Sequence, residues 1–275
     1  LNSVANTQIL ARTPFKSISV HPAAGDDGGA VGAALWAWND VLGLGRNQPI
    51  RTAGLGQAWS HTEVAEILTD LKVAHTDVGD QYCEMAAADI AEGKVIGWFQ
   101  DGFEWGPRAL GHRSILANPR DADMQDRVNE KVKFRERFRP FAPSVTQGFE
   151  HRYFDIPEGA EQPIRWMLMV VPVKEDQREA MPAITHIDGT ARIHVVEEQA
   201  NPTYHRLLEQ LGEKTGHPIV LNTSFNLKGE PIVNSPVSAL ATFLRCGLDV
   251  LYIGQFRIDK ADMRGLARIN ADIET

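Results

Sequence analysis

Gly97-Trp-Phe-Gln-Asp-Gly-Phe-Glu-Trp-Gly-Pro-Arg108-Ala-Leu-Gly-His112-Arg113-Ser114 is the stretch on which the reading of this chain turns. The apolar run Val95 to Phe99 has the length and composition of a strand. A Gly-Pro pair then forces a tight turn, and an arginine follows at once. Such a turn can present Arg108 as a fixed planar fork of donors, suited to phosphate or carboxylate oxygens. A lone arginine after a turn is more often a surface residue than a ligand, so the weight falls on its company.

That company is a second cluster, Lys131-Val-Lys133-Phe-Arg135-Glu-Arg137-Phe-Arg139-Pro-Phe-Ala-Pro143. Cations alternate with apolar residues at period two, which would put Lys133, Arg135, Arg137 and Arg139 on one face of an extended segment. Like charges side by side cost free energy unless solvent or an anion compensates. A bound polyphosphate would supply the missing charge. Further along, His186-Ile-Asp188-Gly-Thr-Ala-Arg192 is a polar turn that delivers another arginine. Leu221-Asn222-Thr223-Ser224-Phe225-Asn226 follows an apolar strand, so Asn222, Thr223 and Ser224 should fall at its C-terminal end. Small amide and hydroxyl groups there suit phosphates and ribose. A plain turn stabilised by the Thr223 or Ser224 hydroxyl explains that loop nearly as well.

The remaining elements are read from spacing. A strand at Ser17–Val20 leads to a Gly-rich turn, Pro22 to Gly29, and a helix from about Ala30 to Val41. A Gly-, Pro-, Asn- and Gln-containing stretch to Trp59 reads as a linker. Ser60-His-Thr-Glu63 has capping-box form and opens a helix to about Lys72. Further helices are expected near Gln81–Ala91, Ala122–Val132, Asn201–Glu213 and Pro236–Arg245. Strands are expected at Trp166–Val173, Ile219–Leu221 and Val250–Ile253. The mixture is α/β or α+β.

Of the 275 residues, 43% are apolar and 23% charged, which is ordinary for a globular protein. The net charge of −8 argues against general nucleic-acid binding. Residues 106–145 nevertheless carry nine basic and five acidic side chains, a cationic island in an acidic chain. No apolar run has the length of a membrane span and no secretory signal is visible, so no membrane partner is expected. The sequence opens on Leu1 rather than Met, and an upstream continuation is expected. Two cysteines, Cys83 and Cys246, are too few for a disulfide framework, which fits a cytoplasmic location. There is no Walker A motif, nucleophile elbow, HExxH or CxxC. The chemistry left to these residues is positioning and charge stabilisation, as phosphoryl and nucleotidyl transfer require.

The chain resembles the C-terminal portion of NodU/CmcH-type O-carbamoyltransferases. The resemblance rests on LNSVAN, HPAAGDDGGAVGAALWAW, GWFQDGFEWGPRALGHRSILANPR, EKVKFRERFRPFAPSV, HIDGTARIHVV and LNTSFNLKGEPIVNSP. It implies a YrdC-like domain over residues 63–275, a twisted mixed sheet with flanking helices that makes carbamoyl adenylate from carbamoyl phosphate and ATP with Mg²⁺. Residues 1–50 would be the end of an ASKHA-like transfer domain, with 51–62 as linker. Arg108, Lys133, Arg139, Arg192 and Ser224 match the family's grip on carbamoyl phosphate and ATP, and Asn2 matches an adenylate-binding asparagine. Asp26, with Asp27 as alternative, matches an aspartate ligand of the family's iron, whose upstream HxxxH pair this chain lacks. The implied partners are a small-molecule hydroxyl acceptor and an upstream ASKHA-like half. A competing reading is a non-catalytic nucleotide- or RNA-binding YrdC-like module, which salt-sensitive RNA binding without turnover would reveal.

Overall fold

The computed structural model describes residues 1–46 and 49–263. Its strands, in chain order, are β1 (Thr76–Asp77), β2 (Ile96–Phe99), β3 (Arg113–Ala117), β4 (Ala142–Thr146) and β5 (Val170–Pro172). They continue with β6 (Thr190–Arg192), β7 (His194–Val196), β8 (Ile219–Ser224), β9 (Val250–Ile253) and β10 (Phe256–Asp259). Eight of them form one sheet in the order β1-β10-β9-β2-β3-β8-β4-β7, while β5 and β6 pair separately. The large sheet is mixed: β2 runs parallel to β9 and β4 to β7, and the other neighbours are antiparallel.

The principal helices are α1 (Ser3–Arg12), α2 (Gly29–Trp36), α3 (His61–Asp70), α4 (Tyr82–Ala91), α5 (Met124–Lys131), α6 (Pro202–Thr215) and α7 (Pro236–Arg245). Both faces of the sheet are covered. On one, Cys83, Ala87 and Ile90 of α4 and Leu207, Leu208 and Leu211 of α6 pack on Ile96, Trp98, Leu116 and Tyr252. On the other, Leu68 of α3, Val128 of α5 and Leu240 and Phe243 of α7 pack on Phe99, Ile115, Leu221 and Ile253. This is why β2 is an unbroken apolar run rather than an alternating one. The Ser60 capping box is formed, with the Ser60 hydroxyl and the Glu63 carboxylate each accepting the other's backbone N–H. No helix among the described residues is long and apolar enough to cross a membrane.

Several expectations need correction. Ser17–Val20 forms no strand. Gln162 clasps it instead, accepting from Val20 N at 2.8 Å and donating to Val20 O at 3.0 Å. The strand expected over Trp166–Val173 shrinks to β5, because Trp166 and Met167 form a turn with Met167 at φ 56°. The cationic segment is not extended. Residues 132–140 fold as successive turns, with Phe134 at φ 47°, so the period-two cations do not share a face. Outside those corrections, Gly56 N donates to Phe103 O at 2.9 Å and Trp105 N to Ala53 O at 2.7 Å, which joins residues 53–56 to the β2–β3 loop.

Candidate functional site

Arg108 stands on the loop joining β2 to β3, and the chain fixes that loop from beneath. The buried carboxylate of Glu104 accepts three backbone N–H groups through one oxygen, from Leu110 at 3.0 Å, His112 at 2.8 Å and Arg113 at 3.0 Å. Asn222 donates to Ala109 O at 3.0 Å and Trp98 to Gly111 O at 3.0 Å. Gly106, at φ 119°, passes so close to Pro22 that a Cβ would lie 2.6 Å from its carbonyl oxygen. Arg113 is fully buried and structural. Its guanidinium lies 3.6 Å over the Phe99 ring and donates to the carbonyls of Gln100, His112, Gln57 and Asp101.

Arg108 and Arg192, the latter at the end of β6, line one pocket of about 300 Å³ together with Asn2, Ser3, Phe141 and His186. Both guanidiniums have a buried Nε with no hydrogen-bond partner. Burial pushes Arg108 down. It pushes Arg192 down to about 10, and the charges of Arg108 and Arg135 add to the effect. The charges of Arg108 and Arg135 thus both bear on Arg192, and neither Arg108 nor Arg192 has a carboxylate partner among the described residues. Free-energy cost without compensation inside the molecule marks a place for an anion.

Lys133 is buried, with its ammonium 2.7 Å from Ser224 O, 3.3 Å from Ser224 Oγ, 2.9 Å from Asn226 O and 2.7 Å from Asn226 Oδ1. Burial, with Arg135 beside it, pushes this lysine down to about 7. Arg135 donates to Asn129 Oδ1 at 2.7 Å and lies 4.7 Å over the Phe141 ring, the same phenylalanine that walls the pocket.

The expected residues therefore separate. Arg108 and Arg192 line the pocket, and Arg135 reaches them. Lys133 and Ser224 are joined to each other. Arg139 is exposed and ion-paired to Glu136 at 3.0 Å, and Arg137 pairs with Glu130. Asn222 is buried beneath the Arg108 loop, bonded to Ala109 O and to Ser144 Oγ at 2.9 Å. Thr223 leaves β8 on the opposite face from Asn222 and Ser224, as strand alternation requires. Asn2 lines the pocket but caps α1, its side chain accepting from Ala5 N at 3.0 Å. Asp26 lies exposed in a short 3-10 turn with Asp27. Among the described residues no group of three or more His, Cys, Asp or Glu side chains could hold a metal ion. One aspartate without further donors does not make an iron site. Spacing groups Arg135 with Arg139 and the resemblance carries over only Arg139, while neither gives a role to Glu104 or His186. The position of Glu104 two residues before the Gly-Pro turn was the available signal.

Residues 87–260 match the family described as Carbamoyltransferase C-terminus, and residues 1–35 match Carbamoyltransferase N-terminus. Nodulation protein NolO of Bradyrhizobium diazoefficiens is 41% identical over 264 residues, which is 94% of this chain and 47% of that protein. The 3'-hydroxymethylcephem-O-carbamoyltransferase of Amycolatopsis lactamdurans is 35% identical over 223 residues, covering 80% of this chain and 39% of that protein. The chain spans less than half the length of these relatives. Among solved structures, full-length HypF in its phosphate- and nucleotide-bound form aligns with a TM-score of 0.43 at 16% identity, covering 68% of this chain and 22% of that one. With the C-terminal family description matched across the whole of the sheet from β2 to β10, the chain belongs to the carbamoyltransferase family.

Proposed function

We propose that this chain forms carbamoyl adenylate from carbamoyl phosphate and ATP, as the activating part of an ATP-dependent O-carbamoyltransferase. In this reading residues 63–275 act as a YrdC-like activating unit. Residues 1–50 close it with the end of a transfer domain, and the acceptor is a small-molecule hydroxyl. The cephem relative, named for carbamoylating a hydroxymethyl group, supports that acceptor class.

The observation that carries the reading is the pocket shared by Arg108 and Arg192, each with an unpartnered guanidinium Nε and no carboxylate to neutralise it. Phosphates fit this arrangement because planar forks can take their oxygens two at a time. In the reaction, phosphate leaves carbamoyl phosphate, and the carbamate oxygen attacks the α-phosphorus of ATP. Pyrophosphate departs with the electron pair of the α–β bridge. Arg108, Arg135 and Arg192 offset the charge that crowds on the phosphate oxygens, and Lys133 holds the Ser224–Asn226 loop against them. ATP enters with Mg²⁺ as its counter-ion.

The test is carbamoyl-phosphate-dependent exchange of labelled pyrophosphate into ATP. The chain should support it, and Arg108→Ala or Lys133→Ala should lower it by about 10²-fold or more. A folded wild-type chain with no exchange, or one that binds RNA without turnover, overturns the proposal.

A further inference from the structure

Within the pocket that Arg108 and Arg192 line, one titratable side chain has no part in the scheme above. His186 sits on the turn before β6 and is one of the residues that line the pocket. The turn closes on itself through His186 N to Thr190 O at 2.8 Å and Gly189 N to His186 O at 2.8 Å. Its side chains form a directed chain. The Thr190 hydroxyl has one proton, and it lies 2.6 Å from Asp188 Oδ1, which also accepts Thr190 N at 3.1 Å. That carboxylate is held below the usual carboxylate range, chiefly by the Thr190 hydroxyl, so it is ionised and can only accept. With its proton given to Asp188, Thr190 Oγ1 meets His186 Nδ1, at 3.2 Å, as an acceptor. The network therefore assigns the proton to Nδ1 and leaves a bare lone pair on Nε2. Nε2 has no hydrogen-bond partner among the described residues.

We infer that His186 is a catalytic residue of the first half-reaction: its Nε2 is the general base that activates water for attack on the carbamoyl donor. This rests on the proposed function above. The scheme needs carbamoyl phosphate to become carbamate before ATP is attacked, and that conversion consumes one water. Nε2 takes one proton from the water as its oxygen bonds to the carbonyl carbon. The bond from that carbon to the phosphate oxygen breaks, and the imidazolium returns the proton to the departing group, which leaves as hydrogen phosphate dianion. The water's second proton, now on carbamic acid, is lost to solvent, and carbamate remains. Arg108 and Arg192 would take the donor's phosphate, setting its carbonyl carbon toward His186 in the same pocket.

Burial lowers His186 below the ordinary histidine range. Asp188 on its own turn opposes that and Arg192 on β6 adds to it, while Arg108 from the β2–β3 loop is the other charged side chain on the pocket. The imidazole is thus neutral near pH 7, as a base must be.

The test separates this step from the next by supplying carbamate directly. Pyrophosphate exchange is measured for wild type, His186→Gln and Arg108→Ala, with carbamoyl phosphate in one arm and freshly dissolved ammonium carbamate at about pH 8 in the other. His186→Gln should lose about 10²-fold with carbamoyl phosphate and stay within about threefold of wild type with carbamate. Arg108→Ala should fail in both arms. In the carbamoyl phosphate arm the wild-type rate should rise with pH through the lowered histidine pKa, and the residual rate of His186→Gln should show no such rise. Equal rates for wild type and His186→Gln overturn the inference while leaving the proposed function standing. Loss in both arms by His186→Gln also overturns it, because the side chain then shapes the pocket. A wild type inactive with carbamoyl phosphate overturns the proposed function itself.

Discussion

Lys133 shows what one residue can reveal about a site. Its ammonium is buried among four oxygens of Ser224 and Asn226 and depressed to about 7. A lysine whose folded pKa lies below its unfolded value binds fewer protons folded than unfolded between about 7 and 10.5, so the free protein gains stability as pH rises through that window. An anion seated beside it raises the pKa again. ATP binding at about pH 8 should therefore take up as much as one proton per site, read by calorimetry in two buffers of different ionisation heat. Arg135 and Arg139 make the complementary case. Arg135→Ala should lower exchange at least about tenfold, because that guanidinium presses on Arg192, whereas Arg139→Ala should stay within about threefold, its charge already met by Glu136 in an exposed pair. Spacing alone sets Arg135 and Arg139 on an equal footing, and the family resemblance carries over only Arg139. Alternation gives a shared face only in an extended chain, and the positive φ of Phe134 that breaks the extension has no residue signature, since phenylalanine rarely adopts it.

At the scale of the element, the Arg108 loop is rigid because buried acceptors meet its amides. Glu104 receives three N–H groups through one oxygen. Glu104→Ala would strand all three donors beneath the loop, a loss of roughly 3 kcal/mol or more, visible as a lower urea midpoint. Glu104→Gln keeps an accepting oxygen and should cost about 1 kcal/mol. In both, KM for carbamoyl phosphate should rise before kcat falls, since the loop holds Arg108 but does not touch the reacting bond. The Gly-Pro turn, the Ser60 capping box and α7 were legible in the sequence, because each is written in local chemistry. β3 and β4 were not. Arg113 opens β3 with a buried charge whose partners include the carbonyls of Gln57, Gln100 and Asp101, and Pro143 lies inside β4 one residue before β7 begins to pair with it. Both strands exist through neighbours far along the chain, which no local pattern encodes.

Over the whole molecule the two ends of the described chain differ in how they bury apolar surface. From β2 to β10 nearly every large apolar side chain is enclosed, in two cores on opposite faces of the sheet and a smaller third cluster around Trp166 and Leu168. In α2, the π-helical segment Ala37–Val41 that continues it and the residues just beyond, Val31, Leu35, Trp36, Trp38, Val41, Leu42 and Leu44 are all exposed, and α2 has no buried residue. So many large apolar groups on one short segment exceed the scattered exposures of an ordinary surface. Since Trp36 is 61% exposed, replacing it with serine removes little that folding buries. Trp36→Ser should therefore leave the melting temperature within about 2 °C, a change of under about 0.5 kcal/mol. The same substitution should weaken any concentration-dependent self-association of the chain in sedimentation velocity, because apolar surface drives association in proportion to its area. Carbamate-dependent exchange should be unchanged, since the residue lies outside the pocket of Arg108 and Arg192. A drop of several degrees would mean instead that this segment packs on the sheet's own domain, and α2 would then belong to the stable fold rather than to a surface awaiting a partner.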